Sequence, residues 1–339
     1  MCKYQRLLFV LIIVVNLIYT VHSAHSDSRN TPSASPLGKP VVKIGRVICG
    51  GHLSLAVAEK KYQQSLSSFQ LKTVQYHRWK DVINDMLSGK VAGSFMLSPL
   101  AMELIRLGFP AKIVMKADRN GNGFVLSDKI KSISDLNTRK TIIAVPHIYS
   151  QHHVLLHQLL EQNNILPENI TVIGMPPRDM INSLRREEID GFVVGEPEGN
   201  KAVSLDVGWL AAISPQIWKD HMDHVFIATD QFINKQSAQL QELINVLVRG
   251  GQFIEANPHE AAIMGETYTG SNADVFEQVL TSPPEWIDYS DMLPTINDII
   301  AMSSNMVRMN LWNDIPSDPS VFIDPGFAQK AIKNLSNLK

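Results

Sequence analysis

The sequence predicts an α/β fold in two lobes, each a mainly parallel sheet flanked by helices, and three observations carry that expectation. Short apolar runs alternate with amphipathic stretches over brief loops through residues 41–194, the pattern of strands joined by crossover helices. Helix starts carry their own chemistry, as at Ser98-Pro99, where a hydroxyl at the cap and a proline in the first turn suit the unpaired N–H groups. The 339 residues are 45% hydrophobic and 19% charged, enough apolar content to bury one large core or two medium ones.

In chain order, residues 41–49 form a strand ending in Gly50-Gly51, and 53–62 an amphipathic helix. Strands are expected at 71–75, 91–97, 111–117 and 123–127, with helices at 79–87 and 99–107. The alternation repeats with strands at 141–145, 170–174 and 190–194, and helices at 150–163, 179–185 and from Asn200. Residues 225–229 are the last clear strand. Beyond it, 235–256, 272–280 and 293–310 read as a helical tail that packs on one lobe.

Lys3 and Arg6 precede an apolar run over 7–21, and Val21-His22-Ser23 places small or β-branched residues at a cleavage site. That is the layout of a secretory signal peptide. Residues 1–23 are expected to be cleaved or kept as an anchor, and 24–39, rich in Ser, Pro, Asn and Asp, to form a flexible leader. Loss of 1–23 removes Cys2 and takes the net charge from −2 to −4. Cys49 is then the only thiol, which excludes an internal disulfide. The near-balanced charge excludes a broad basic surface for nucleic acid. With no nucleophile turn and no phosphate loop in the sequence, the expectation is a periplasmic monomer that binds without catalysing and carries no cofactor.

Residues 132–146 (SISDLNTRKTIIAVP) and 165–194 (ILPENITVIGMPPRDMINSLRREEIDGFVV), followed by Gly195-Glu196-Pro197, together resemble the ABC-transporter binding proteins for nitrate, sulfonate, taurine and bicarbonate. The resemblance extends over about residues 39–332. It implies the two-lobed periplasmic-binding-protein fold, type II-like, with lobe 1 at 40–123 plus 225–339 and lobe 2 at 124–224. It also implies two crossovers, a small anion held between the lobes, and a permease of the inner membrane as partner. Ligands of open α/β sheets sit beyond the carboxyl ends of strands, so the loops there supply the candidates.

Cys49-Gly50-Gly51-His52 closes the first strand and opens a helix. Gly51 lets the backbone approach a ligand, and free N–H groups at a helix start suit an anion. A plain turn with His52 toward water is the alternative. The resemblance sets Trp79 against a pocket-lining Trp whose indole N–H donates to an oxyanion; packing on the sheet is equally open. Ser98 matches a Thr-Pro loop and either reaches ligand or caps its helix, capping being favoured. His152 falls where anion-binding members carry a His at the first helix of lobe 2. Glu196 is shared with the family, where it holds the interlobe loops or, in the bicarbonate members, lies near a cation; capping the helix from Asn200 is the alternative. Two positions depart from the pattern. His224 stands where nitrate-type members place a Lys, and Phe124 where they have a Gln. With a permanent charge replaced by an imidazole, an organic anion becomes the expected ligand ahead of nitrate.

His153, His157 and Glu161 form a stripe along one helix, too long to meet at a single ion. A protein binding metal through His52, His77, His152 or His224 across the cleft is a second function class. A third, an enzyme making the pyrimidine precursor of thiamine on the same fold, needs a Cys-rich segment, which Cys49 alone does not supply.

Overall fold

In the computed structural model residues 38–336 are described, and the expected signal peptide and nearly all of the expected leader lie outside them. The strands are β1 (Val41–Val47), β2 (Gln70–Tyr76), β3 (Gly93–Leu97), β4 (Ala111–Lys116), β5 (Arg119–Asn120), β6 (Asn122–Leu126), β7 (Thr141–Val145), β8 (Ile170–Gly174), β9 (Gly191–Gly195), β10 (Trp209–Ile213), β11 (His224–Thr229) and β12 (Ile287–Asp288). They make two five-stranded sheets, ordered β2-β1-β3-β11-β4 and β10-β6-β9-β7-β8. Strands β3, β6, β9 and β11 are buried along their whole length, as strands covered on both faces must be. Edge strands β2 and β8 keep exposed polar positions such as Lys72 and Thr171, which blunt further pairing.

The two-sheet α/β class stands as expected, but the sheets are mixed rather than mainly parallel. β1 runs parallel to β2 and β3, and β7 to β8 and β9. β11 is antiparallel to β3 and β4, and β6 to β9 and β10. The crossings are the reason. The chain leaves the first sheet after β4, enters the second through β6, and returns from β10 through β11, so each sheet takes in a strand arriving from the other. β10 itself is not expected from the sequence, since WLAAI shows no alternation. Its Trp209 donates an indole N–H to the Ile130 carbonyl at 2.7 Å, a tertiary contact that local pattern does not contain. Helices Pro258–Thr269 and Gly326–Ser336 are likewise additions to the expected elements.

Neighbouring residues on a strand face opposite layers. Phe95 and Phe226 join Leu55, Ile244 and Leu247 on one side of the first sheet, while Met96 and Val225 join Leu100, Ile299 and Met302 on the other. In the second sheet Phe124 and Val193 pack with Leu155, and Val125 and Phe192 with Met180. Helix Ser237–Ala256 lies against Leu53–Lys61 and Gly326–Ser336, so the helical tail covers the first sheet.

The tail also fastens the outward crossing. β12 pairs antiparallel with β5. The Nζ of buried Lys116 lies 2.7 Å from Asp291 and 3.3 Å from Asp298, and Arg119 reaches the same carboxylates at 2.7 and 2.9 Å. A buried ammonium is tolerated only with such partners.

Candidate ligand-binding cleft

The loop after β1, the start of helix Trp79–Leu87 and the first residue of β11 bring Cys49, Trp79 and His224 to one wall of a cleft. Pro146 after β7, His152 in helix Gln151–Gln162, Pro177 and Gly195 at the end of β9 make the other. The loops after β1, β7 and β9 are carboxyl-end loops, where open α/β sheets meet their ligands. The space between the walls is about 10 Å³, room for roughly one water-sized group. A more open depression of about 540 Å³, bounded by Gln158, Glu161, Trp218 and Arg308, is a surface groove that includes none of the expected site residues.

Behind Cys49 stands a buried polar cluster. His224 Nδ1 lies 2.6 Å from Asp223 Oδ2 and 3.6 Å from Asp118 Oδ1, with all three side chains buried. The backbone N–H of His224 donates to Asp118 Oδ1 at 3.1 Å. Asp223 Oδ1 accepts from Gln151 at 2.5 Å and from Asn122 at 2.9 Å. On its other edge, His224 Nε2 is 3.5 Å from Cys49 Sγ. Gly51 makes the crowding possible: a Cβ there would stand 2.6 Å from Asp118 Oδ2 and 2.7 Å from His224 Nδ1.

Electrostatics follow from burial and these pairings. Burial alone would discharge His224, but Asp223, Cys49 and Asp118 more than reverse this and hold its pKa well above the imidazole range. Burial opposes the charge on Asp223 too, and His224 overcomes it, keeping that carboxyl well below the usual range. Asp118 is pushed up to about 7 by burial and by Asp223. Burial raises the Cys49 thiol and lowers His152 to about 3, so that ring is neutral. His224 is thus the one firm cation among the described residues of the cleft, and it is matched by Asp223 before any ligand arrives.

Of the expected site residues, Trp79, His152 and His224 line the gap, while Gly51 and His52 stand behind it against His224. His52 does not face water: it is fully buried, its Nδ1 2.8 Å from the Val47 carbonyl and its ring 5.1 Å from Phe95. Both ring nitrogens of buried His152 lack a hydrogen-bond partner. Three expectations need correction. Ser98 neither caps nor lines the cleft; it is the first residue of helix Ser98–Arg106, and its Oγ donates to the Met222 carbonyl at 3.1 Å, steadying the segment that carries Asp223. Phe124 is 1% exposed within the second sheet's core, because its place in β6 turns it to the helix layer, so it gives the cleft no aromatic face. Glu196 stands behind the cleft: its Oε2 accepts the Asn200 N–H at 2.9 Å, as the capping alternative has it, whereas the Gly50 N–H goes at 3.0 Å to the backbone carbonyl and not to the acid. His77 is exposed, and the His153 stripe does not converge: His157 pairs with Glu161 at 3.6 Å, while His153 turns to the Ile148 carbonyl.

Sequence reasoning missed Asp118 and Asp223. The available signals were an acid directly after a strand's carboxyl end and an acid adjoining His224.

Two sheets exchanging strands, with a cleft between their strand ends, define a two-lobed α/β protein of the periplasmic-binding-protein fold. The NMT1-like family profile matches residues 35–267, well over half of the chain, and the chain belongs to that family. A nitrate import ATP-binding protein of Synechocystis is 27% identical over 61% of this chain and 33% of its own length. The chain spans from 29% to 59% of the curated relatives compared. Among solved structures, the periplasmic nitrate-binding protein NrtA of Synechocystis superposes with a TM-score of 0.80 at 16% identity, over 90% of each chain. The ligand-binding component of an ABC-type import system of Staphylococcus aureus, solved with zinc bound, superposes with a TM-score of 0.79 at 22% identity, over 86% of this chain and 98% of that one. These likenesses show the fold, and both structural neighbours are described as binding proteins.

Proposed function

We propose that the chain is the solute-binding receptor of an ABC-type importer, exported to the periplasm. It captures one small ligand between lobe 1 (40–123 plus 225–339) and lobe 2 (124–224) and passes it, as a monomer, to a permease of the inner membrane. The cleft carries the reading: Cys49, Trp79 and His224 face His152 and Gly195 across a gap of about 10 Å³. A ligand touching both walls favours their approach, and that differential contact is what drives a lobe closure.

The names of the relatives, which include nitrate binding and an ABC-type import system, support the receptor class. The anion expected from the sequence draws less support. His224 is already paired with Asp223, and Phe124 offers no surface to an organic tail. What the geometry favours is a very small ligand.

Small-angle scattering and tryptophan fluorescence of the exported protein, titrated with nitrate, bicarbonate, an alkyl sulfonate and Zn²⁺, test the reading. One of the four should contract the particle and change the Trp79 emission, and His152→Ala should abolish both changes. A protein unmoved by every one, in cells whose uptake does not depend on it, is not a receptor.

A further inference from the structure

We infer that Cys49 Sγ, His52 Nε2 and His224 Nε2 form a site for one thiophilic transition-metal ion of the zinc type, closed from the opposite wall by His152, and that this ion is the solute carried. The identity of the solute rests on the receptor reading; the site does not.

The donor set comes first. One ligand atom from each of Cys49, His52 and His224 lies within 4.8 Å of the others, so a small contraction brings all three to bonding distance of one ion. Each imidazole is already oriented. His52 Nδ1 is hydrogen-bonded to the Val47 carbonyl at 2.8 Å, so it carries the proton and leaves Nε2 with a bare lone pair. That Nε2 is buried and has no hydrogen-bond partner. His224 is held through Nδ1 by Asp223 at 2.6 Å and turns Nε2 toward Cys49 Sγ at 3.5 Å; the ion takes the place of the proton on Nε2 and of the thiol proton, and both are released to solvent on binding. A carboxylate behind an imidazole in this way fixes and strengthens a metal-binding histidine.

The fourth donor comes from the other sheet. Both nitrogens of His152 are buried and unpartnered. Next to it, a Cβ on Gly195 would stand 2.9 Å from Cys49 Sγ and 3.6 Å from His152 Nε2; the absent side chain leaves thiol and imidazole facing one space. One sulfur and three nitrogens in a tetrahedral arrangement suit Zn²⁺ or copper, whereas Ca²⁺ and Mg²⁺ need shells of oxygen. A thiolate at Cys49 with Asp223 and Asp118 behind it balances a double positive charge. The gap of about 10 Å³ admits a bare ion and little else. Asp223 orients rather than ligates, since hydrogen bonds already engage both of its oxygens, and Asp118, whose Oδ2 has no hydrogen-bond partner, stands on the Nδ1 edge of His224 and not on the Nε2 edge that faces Cys49.

The test titrates chelator-stripped protein with Zn²⁺ against a chromophoric competitor, and separately with Co²⁺ while recording the absorption spectrum. One equivalent of Zn²⁺ is expected, with a near-ultraviolet thiolate-to-cobalt band. Cys49→Ser should weaken Zn²⁺ binding by more than about 100-fold and remove the band, and His152→Ala should weaken binding while keeping the band. Because His52 is buried, the cobalt spectrum of the unaltered protein serves in place of a His52 variant. Sub-stoichiometric Zn²⁺, an unchanged affinity in Cys49→Ser, or bound Co²⁺ without the thiolate band overturns the site. Tight nitrate or sulfonate binding without Zn²⁺ overturns the inference and leaves the receptor standing. Stoichiometric Zn²⁺ with neither contraction nor dependent uptake keeps the site and removes the receptor.

Discussion

Asp223 and His224 are consecutive residues, yet they face each other: Oδ2 of the first lies 2.6 Å from Nδ1 of the second, and each side chain is 1% exposed. A pair so deeply buried tolerates the loss of neither partner, because the survivor is left charged in a medium that cannot solvate it. Asp223→Asn should therefore cost about 3–5 kcal/mol in urea unfolding. His224→Gln should cost much less when combined with Asp223→Asn than in the unaltered chain. Costs that simply add, to within about 0.5 kcal/mol, would show that the pair is not coupled.

Stability should fall between pH 6.5 and pH 8; below that window the buried His52, His147, His152 and His221, whose pKa values burial lowers, act with the opposite sign. Glu196 is pushed up to about 8 by burial, only partly offset by the Asn200 N–H, from an ordinary value of 4.5. A carboxyl with a raised folded pKa gives its full contribution below its unfolded value and loses it as pH rises through the folded one. Asp118, at about 7, acts with the same sign in the same window. Melting temperatures should decline from pH 6.5 to pH 8, and Glu196→Gln should flatten part of that decline. Superimposable profiles for the two proteins would refute the assignment to Glu196.

Gly51→Ala should destabilise the protein by about 1–3 kcal/mol, the usual range for forcing atoms into a filled site. The added methyl would meet Asp118 and His224 at 2.6 and 2.7 Å. Gly174→Ala, where nothing lies within 4 Å, serves as the comparison and should change stability by less than about 0.5 kcal/mol. Chemical denaturation of both variants decides it, and equal effects would contradict the packing around Gly51.

His152→Phe should leave the ligand-free protein as stable as before or more so, because it removes two buried ring nitrogens that have no partners and keeps a ring of similar size. Ligand binding should be lost in the same variant. Differential scanning calorimetry and the Zn²⁺ titration report the two effects separately. A large drop in melting temperature would mean that His152 is structural.

Much of the fold could be read locally. Helix Trp79–Leu87 and strands β7 and β8 agree with the sequence expectation to the residue, because amphipathic period, short apolar runs and breakers coincide there. β10 could not be read that way, since its pairing with β6 and the Trp209 bond to Ile130 are made at a distance. The site divides along the same line. His152 and His224 were visible as polar residues at strand and helix ends. Asp118 lies 106 positions from His224, and only the exchange of strands between the sheets brings them together. Ser98 before a proline has the chemistry of a cap, but the Met222 carbonyl competes for its hydroxyl.

The bracing of the outward crossing has a mechanical consequence. Lys116 is 0% exposed in its side chain, and its counter-charges come from Asp291 and Asp298, far along the chain. Of the two connections between the sheets, the one through β5 is stitched to β12 and pinned by two carboxylates shared with Arg119. Any relative rotation of the sheets must therefore work against one stiff tether. The segment from β12 to the helix Ile296–Arg308 becomes a torsion spring for a joint to which it contributes two strand residues and two acids, and cutting it away would leave an ammonium stranded in the interior before it freed any movement.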